Sequence, residues 1–255
     1  MLSAKLSTMT ELRIDDDVVR WAVDGRDAPA DEALAALTSR PLLLLMHGFG
    51  SFEGDLIGLA PLLPTGFVCA SPRAPLVAPP PIVNGYSWWP IEMGPDGMPR
   101  HEDPPAEFVG STPHAAALAM LAWLDVLDAR VAGGLGTGLG TVVPMGFSQG
   151  GCMVTSLLRL RPERFACGVN CSGFVASGAF GDDVALAAVR PPMFWGRDEA
   201  DPIISPARMA ALAEWAGRHT ALEAHAYPGI AHSISQDELR DIGRFLVAHV
   251  PEAGR

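Results

Sequence analysis

The strongest constraint on this chain is a series of short, unbroken apolar runs, each closed by glycine-rich or polar sequence. "PLLLLMHGFG" (41–50) is the clearest. "GFVCASPRAP" (66–75), "TVVPMG" (141–146), "FACGVNCSG" (165–173) and "PPMFWG" (191–196) repeat the pattern, "LEAHAY" (222–227) also reads as a strand, and "VVRWAV" (18–23) enters a turn at Asp24-Gly25. A run without polar alternation suits a strand covered on both faces, as in a parallel sheet. Helical segments alternate with these runs. Residues 111–131 place Thr112 as N-cap and Pro113 at the first helical position, followed by an apolar stripe of Met120, Leu124, Leu127 and Val131. Ser205-Pro206 repeats the device, and Ser235 with Glu238 reads as a capping box. The alternation predicts an α/β fold with a mostly parallel central sheet and helices on both faces.

One domain is expected over 1–255, with an N-terminal extension (about 1–39) and an insertion (about 76–110). Only about 16 residues separate "NCSGF" from "PPMFWG", too few for a separate cap domain. Pro144 resists the scheme, because proline cannot donate to a sheet ladder. Either the strand loses pairing there or that amide position faces no partner. "GGLGTGLG" (133–140) precedes a strand and lacks dinucleotide-binding spacing, so it reads as a loop.

Charge and cysteine usage narrow the function. A net charge of −11 argues against nucleic acid and anionic membrane as partners. The apolar stretch 115–124 is short of the ~20 residues a membrane span needs, so no membrane insertion is expected. Cys69, Cys152, Cys167 and Cys171 read as core thiols of a reducing compartment. Cys167 and Cys171 lack a second Cys/His pair, so no metal is expected. The first residues lack the apolar core of a signal peptide, which points to a cytoplasmic protein. A homodimer is compatible with all of this.

Chemistry gathers at four predicted strand ends, where open α/β sheets bind ligands. "GFSQGG" (146–151) puts Ser148 between glycines at a strand-to-helix turn. Such a turn exposes the hydroxyl and aims the free amides of the next helix at the same spot. "HGFG" (47–50) lets the backbone approach a ligand, and the Phe49 amide can join that of Gln149 as an oxyanion hole. The ring of His47 is expected to brace this loop. "GRDEADPII" (196–204) holds three acids, and "YPGIAHSIS" (227–235) holds His232. A serine hydroxyl needs a base, and the base needs an acid to fix its tautomer. Among the acids, Pro202 restricts Asp201 toward an extended form at the loop tip, which favours it over Asp198 and Glu199.

"HGFG", "RAP", "GYSWW", "GFSQGG", "DP" and a histidine at 232 occur in the order seen in the phospholipase/carboxylesterase family of α/β-hydrolases. The chain resembles that family over roughly residues 40 to 250. The resemblance implies an α/β-hydrolase fold, a Ser148–Asp201–His232 triad, oxyanion amides at Phe49 and Gln149, and no cofactor. The departures are the segment beginning "WWPIEMG", the three-acid loop and the N-terminal extension. The expected activity is cleavage of small to medium carboxylic esters through an acyl-enzyme. An acyl thioesterase using the same triad is one alternative, and a non-catalytic binding protein of the same fold is another. Trp88 or Trp89, in the insertion, is expected to line the acyl or alcohol pocket.

Overall fold

The computed structural model describes residues 12–91, 94, 107–135 and 138–254. The apolar runs become strands: β1 (Arg20–Val23), β3 (Leu42–Met46), β4 (Val68–Ser71), β7 (Val142–Phe147), β8 (Gly168–Cys171), β9 (Pro192–Arg197) and β10 (Ala221–Ala226). A further short strand, β2 (Arg26–Ala28), makes eight in one sheet among the described residues, in the order β10-β9-β8-β7-β3-β4-β1-β2. Strands β4, β3, β7, β8, β9 and β10 run parallel, while β1 and β2 join antiparallel at one edge. The described part of the N-terminal extension thus supplies the last two strands at one side of the sheet, β2 being the edge, and α1 (Ala30–Ala36); residues 1–11 lie outside the described residues.

Alternate residues of β3 enter opposite cores. Leu42, Leu44 and Met46 face a layer with α2 (Thr112–Leu135), α3 (Gln149–Leu160) and α5 (Pro206–His219), among them Met120, Leu124, Leu157 and Leu212. Leu43 and Leu45 face the other layer, with Leu239, Ile242, Phe245 and Leu246 of α6 (Gln236–His249). All five β3 residues have no exposed surface. Each fully buried leucine stabilises the fold by roughly 1.5–3 kcal/mol, which is why the runs carry no polar alternation.

Several local expectations are corrected. The N-cap of α2 is Ser111, whose Oγ accepts from the His114 amide at 3.3 Å; Thr112 is already helical. The helix also continues through Gly133 to Leu135, where a loop was expected, and residues 136–137 lie outside the described residues. The capping box places Ser235 Oγ as acceptor from the Glu238 amide at 3.0 Å, with the buried Glu238 carboxylate near the Ser235 backbone amide. Pro144 resolves cleanly. Val142 O accepts from Ala166 N, so Pro144, two residues on, also faces the β8 side. The ladder to β8 begins only at Met145↔Val169, so the missing donor deprives no registered pair. The insertion starts as a small ribbon, β5 (Leu76–Val77) with β6 (Tyr86–Ser87); residues 92–93 and 95–106 lie outside the described residues.

The chain leaves β3 for β4 on one side and returns to place β7 on the other. This reversal puts the carboxyl ends of β3 and β7 side by side, with Met46 registered against Gly146. A crevice outside such a switch point is where ligands bind in open α/β sheets.

Candidate active site

Ser148 sits at the tip of the β7–α3 turn with φ +53° and ψ −112°, a region that side-chain-bearing residues rarely adopt. Such a conformation costs about 1–3 kcal/mol and persists only when its surroundings hold it. Here they do: its amide donates to Cys171 O at 2.9 Å, and its carbonyl accepts from the Cys152 amide at 3.1 Å. The turn is tight enough to need both flanking glycines. A Cβ at Gly146 would stand 2.1 Å from Gly150 O, and one at Gly150 would stand 1.9 Å from Met46 O. The first amides of α3, beginning with Gln149, have no acceptor within the helix and face the same end.

The 47–50 loop lies against this turn. Gly48 is close enough that a Cβ there would be 3.5 Å from Ser148 Cβ. A turn closes from Ser51 N to Gly48 O, and Gly50 N donates to Tyr86 O. The Phe49 amide, between them, has no acceptor among the described residues. His47 is fully buried, and burial lowers its pKa, so the ring is neutral. Its Nδ1–H donates to Gly48 O at 2.8 Å and its Nε2 accepts from Ala74 N at 3.1 Å, which braces the loop. Arg73 of "RAP" closes a bidentate pair with Glu53, both contacts at 2.6 Å, and lies over the Tyr86 ring.

The acid and base come from the loops after β9 and β10. His232 Nδ1–H donates to Asp201 Oδ2 at 2.7 Å. Asp201 Oδ1 accepts from the amides of Ile203 and Ile204, so the carboxylate is fully engaged. The imidazole is therefore fixed with Nε2 as its free nitrogen. It packs against Phe147, the residue before Ser148, with ring centroids 4.8 Å apart. Asp198 serves differently. Its carboxylate accepts from Ala200 N, Ala231 N and Gly229 N, which tie the two loops together and lower its pKa. Glu199 is exposed beside Arg197.

The tryptophans divide. Trp88 has no exposed surface, and its Nε1–H donates to His47 O at 2.9 Å. It braces the 47–50 loop and does not line an open pocket, which corrects the expectation for that residue. Trp89 retains slight exposure and meets Phe174 edge-on at 6.4 Å. The Gln149 side chain clasps both, accepting from Trp88 N and donating to Trp89 O, each at 2.9 Å.

Asn170 was overlooked in the sequence. It is fully buried at the end of β8, donates to Gly151 O and accepts from Gly173 N, both at 2.9 Å. One amide side chain therefore couples α3 to the loop that carries Phe174. An asparagine inside an apolar run was the available signal.

Comparison with known proteins agrees with this architecture. The model of the phospholipase/carboxylesterase family matches residues 109–250. A "Probable carboxylesterase SOBER1-like" of Arabidopsis thaliana is 29% identical over 123 residues, 48% of this chain and 46% of that protein. A "Probable carboxylesterase" of Oryza sativa is 29% identical over 107 residues, 41% of this chain and 40% of its own. The chain thus aligns with less than half the length of these curated relatives. Among solved structures, esterase PE8 superposes with a TM-score of 0.65 at 22% identity, covering 94% of this chain and 100% of that one. A carboxylesterase from Mesorhizobium loti gives 0.64 at 19% identity, covering 93% and 99%. These superpositions share the fold, and the match over 109–250 takes in the elbow, the acid loop and the histidine loop: the chain belongs to the phospholipase/carboxylesterase family.

Proposed function

We propose that the protein is a serine hydrolase that cleaves carboxylic esters of small to medium size through an acyl-enzyme intermediate. The observation that carries this reading is the 2.7 Å bond from His232 Nδ1 to Asp201 Oδ2 beside a strained serine elbow. The carboxylesterase names of the relatives support it. In this reading His232 Nε2 takes the Ser148 proton as Oγ attacks the ester carbonyl. The amides of Phe49 and Gln149 hold the developing oxyanion, each worth about 3 kcal/mol in a water-poor site. The alcohol departs with the proton from His232, and water attacks the acyl-enzyme by the same route. Trp89 lines the pocket while Trp88 holds the oxyanion loop. The chemistry requires no cofactor. The four buried, unpaired thiols support a reducing compartment such as the cytoplasm.

A fluorophosphonate probe tests the reading directly. It should label the protein at Ser148, and Ser148→Ala should abolish labelling and lower kcat on a short aryl ester by at least about 10⁴-fold. A folded wild-type protein that neither reacts with the probe nor turns over the ester would refute it.

A further inference from the structure

Most of the described cations of this acidic chain have a polar partner. Arg73 is paired with Glu53, Arg159 with Asp183 and Arg161 with Asp125, and Arg190 donates to three backbone carbonyls. Arg208 is different. Its side chain is partly buried, with the guanidinium carbon 4.4 Å above the Phe174 ring, and it meets no carboxylate or carbonyl among the described residues. It is the third residue of α5, where the helix presents its positive end. Burial moves its pKa down, whereas partners raise those of Arg20, Arg73 and Arg161. A cation in that position is disfavoured on its own and becomes favourable once an anion meets it.

Its place matters as much as its want of a partner among the described residues. Phe174 follows β8, touches Trp89 and has its carbonyl bonded by Thr155 of α3. Trp89 is clasped by Gln149, the residue after Ser148. Arg208 itself lies seven positions beyond Asp201 on the same loop-and-helix connection. The guanidinium therefore shares the carboxyl end of the sheet with the serine elbow.

We infer that Arg208 is a recognition residue for a free carboxylate carried by the ester substrate. The inference rests on the hydrolase reading above and deepens it. One planar guanidinium matches one carboxylate in a two-bond fork. A dianionic phosphate would call for a second cation, and the surrounding charge of −11 makes long-range attraction of anions unfavourable, so recognition must be local. During turnover the acyl group passes to Ser148 Oγ as the alcohol leaves with a proton. Water then frees the acid, and the carboxylate held by Arg208, on whichever half carries it, takes no part in bond making or breaking.

The test compares kcat/KM for an aryl hemisuccinate with that for the matching aryl butyrate, and for the butyrate ester of 4-hydroxybenzoate with that of phenol. Arg208→Gln should lower one of these charged-to-neutral ratios by about ten- to a hundredfold, chiefly through KM. The pair that responds identifies the half of the substrate that bears the charge. Arg208→Lys should fall between, because it keeps the charge and loses the fork. Ratios that stay within about twofold of wild type for both pairs would overturn the inference. In the wild-type protein, free glutarate should slow fluorophosphonate labelling more than glutaramide does; equal effects would also overturn it. Should Ser148 fail to label at all, the hydrolase reading has failed, and Arg208 is then judged alone by indole fluorescence. Saturable quenching by glutarate that Arg208→Gln removes would sustain the carboxylate site, and its absence would end it.

Discussion

At the scale of single residues, neighbouring acids perform unlike tasks because their oxygens meet different partners. Asp201 gives one oxygen to His232 and the other to two backbone amides. Asp198 gives its oxygens to amides only, among them Gly229 and Ala231 on the histidine loop. The first therefore orients the imidazole and the second sets where its loop stands. Asp201→Asn preserves size and the amide acceptor, yet it no longer holds a protonated Nδ1 or stabilises an imidazolium. Turnover should drop about 10⁴-fold while thermal stability changes little. Asp198→Asn keeps an acceptor oxygen but loses the charge its amide donors favour, so its loss should show in both stability and kcat. Kinetics and melting curves of the two variants read the difference; equal melting losses would contradict this division.

At the scale of elements, the site depends on how tightly β7, α3 and the loop after β8 are pressed together. Gly150 lies against the Met46 carbonyl, and Asn170 spans from Gly151 O to Gly173 N. Asn170→Ala strands the buried Gly173 amide, at about 1–3 kcal/mol, and takes from Gly151 O the bond it makes beyond the helix. A urea titration should report a loss of about 2–4 kcal/mol, and a loss below about 0.5 kcal/mol would mean that water or the loop replaces both bonds. These elements were legible in unequal degree. Strands β3, β7 and β9 announced themselves because burial on both faces demands unbroken apolar sequence, whereas β10, at the sheet edge, is largely exposed and places Glu223 and His225 among its small apolar residues. Strand β2 and the β5–β6 ribbon are three and two residues long, too short for any period, and α4 (Asp183–Val189) buries only Leu186. The glycines at 133 and 134 argued for a loop, but the helix accommodates them in its last turn. Trp88 and Trp89 look alike in sequence, and only the path of the insertion decides which one is swallowed. Arg208 gave a faint sign, a cation in a first helical turn, whose meaning depends on there being no carboxylate beside it among the described residues.

At the scale of the whole molecule, two separable sources make stability fall as pH rises, while the buried, neutral His47 opposes them below its ordinary value of 6.5. The net charge of −11 produces self-repulsion that grows as pH rises. Glu238 adds a local source. Its carboxyl is fully buried on α6 and makes no well-aligned hydrogen bond among the described residues, with the Ser235 amide and the Cys171 thiol only partly offsetting its burial. It lies against Gly196 of β9, where a Cβ would come within 2.1 Å of Oε1, and its surroundings include Cys171 and Asp241. Burial pushes its pKa up from 4.5 to about 7. The unfolded chain therefore releases this proton near 4.5 while the folded protein keeps it until about 7. Between those values the folded state binds the extra proton, so stability falls as pH rises through the window and levels off above it. The integrated loss is about 3 kcal/mol. Salt separates the two sources: 0.5 M NaCl screens surface repulsion over distances beyond a few ångströms, but a buried carboxyl is screened much less. Unfolding free energies from urea titrations at pH 5 and pH 8 should differ for the wild-type protein even in high salt. In Glu238→Gln, which has no proton to lose, most of that salt-resistant difference should vanish, and the variant should be the more stable protein at pH 8. A wild-type slope that salt abolishes, or one that survives the substitution intact, would assign the effect to the surface instead.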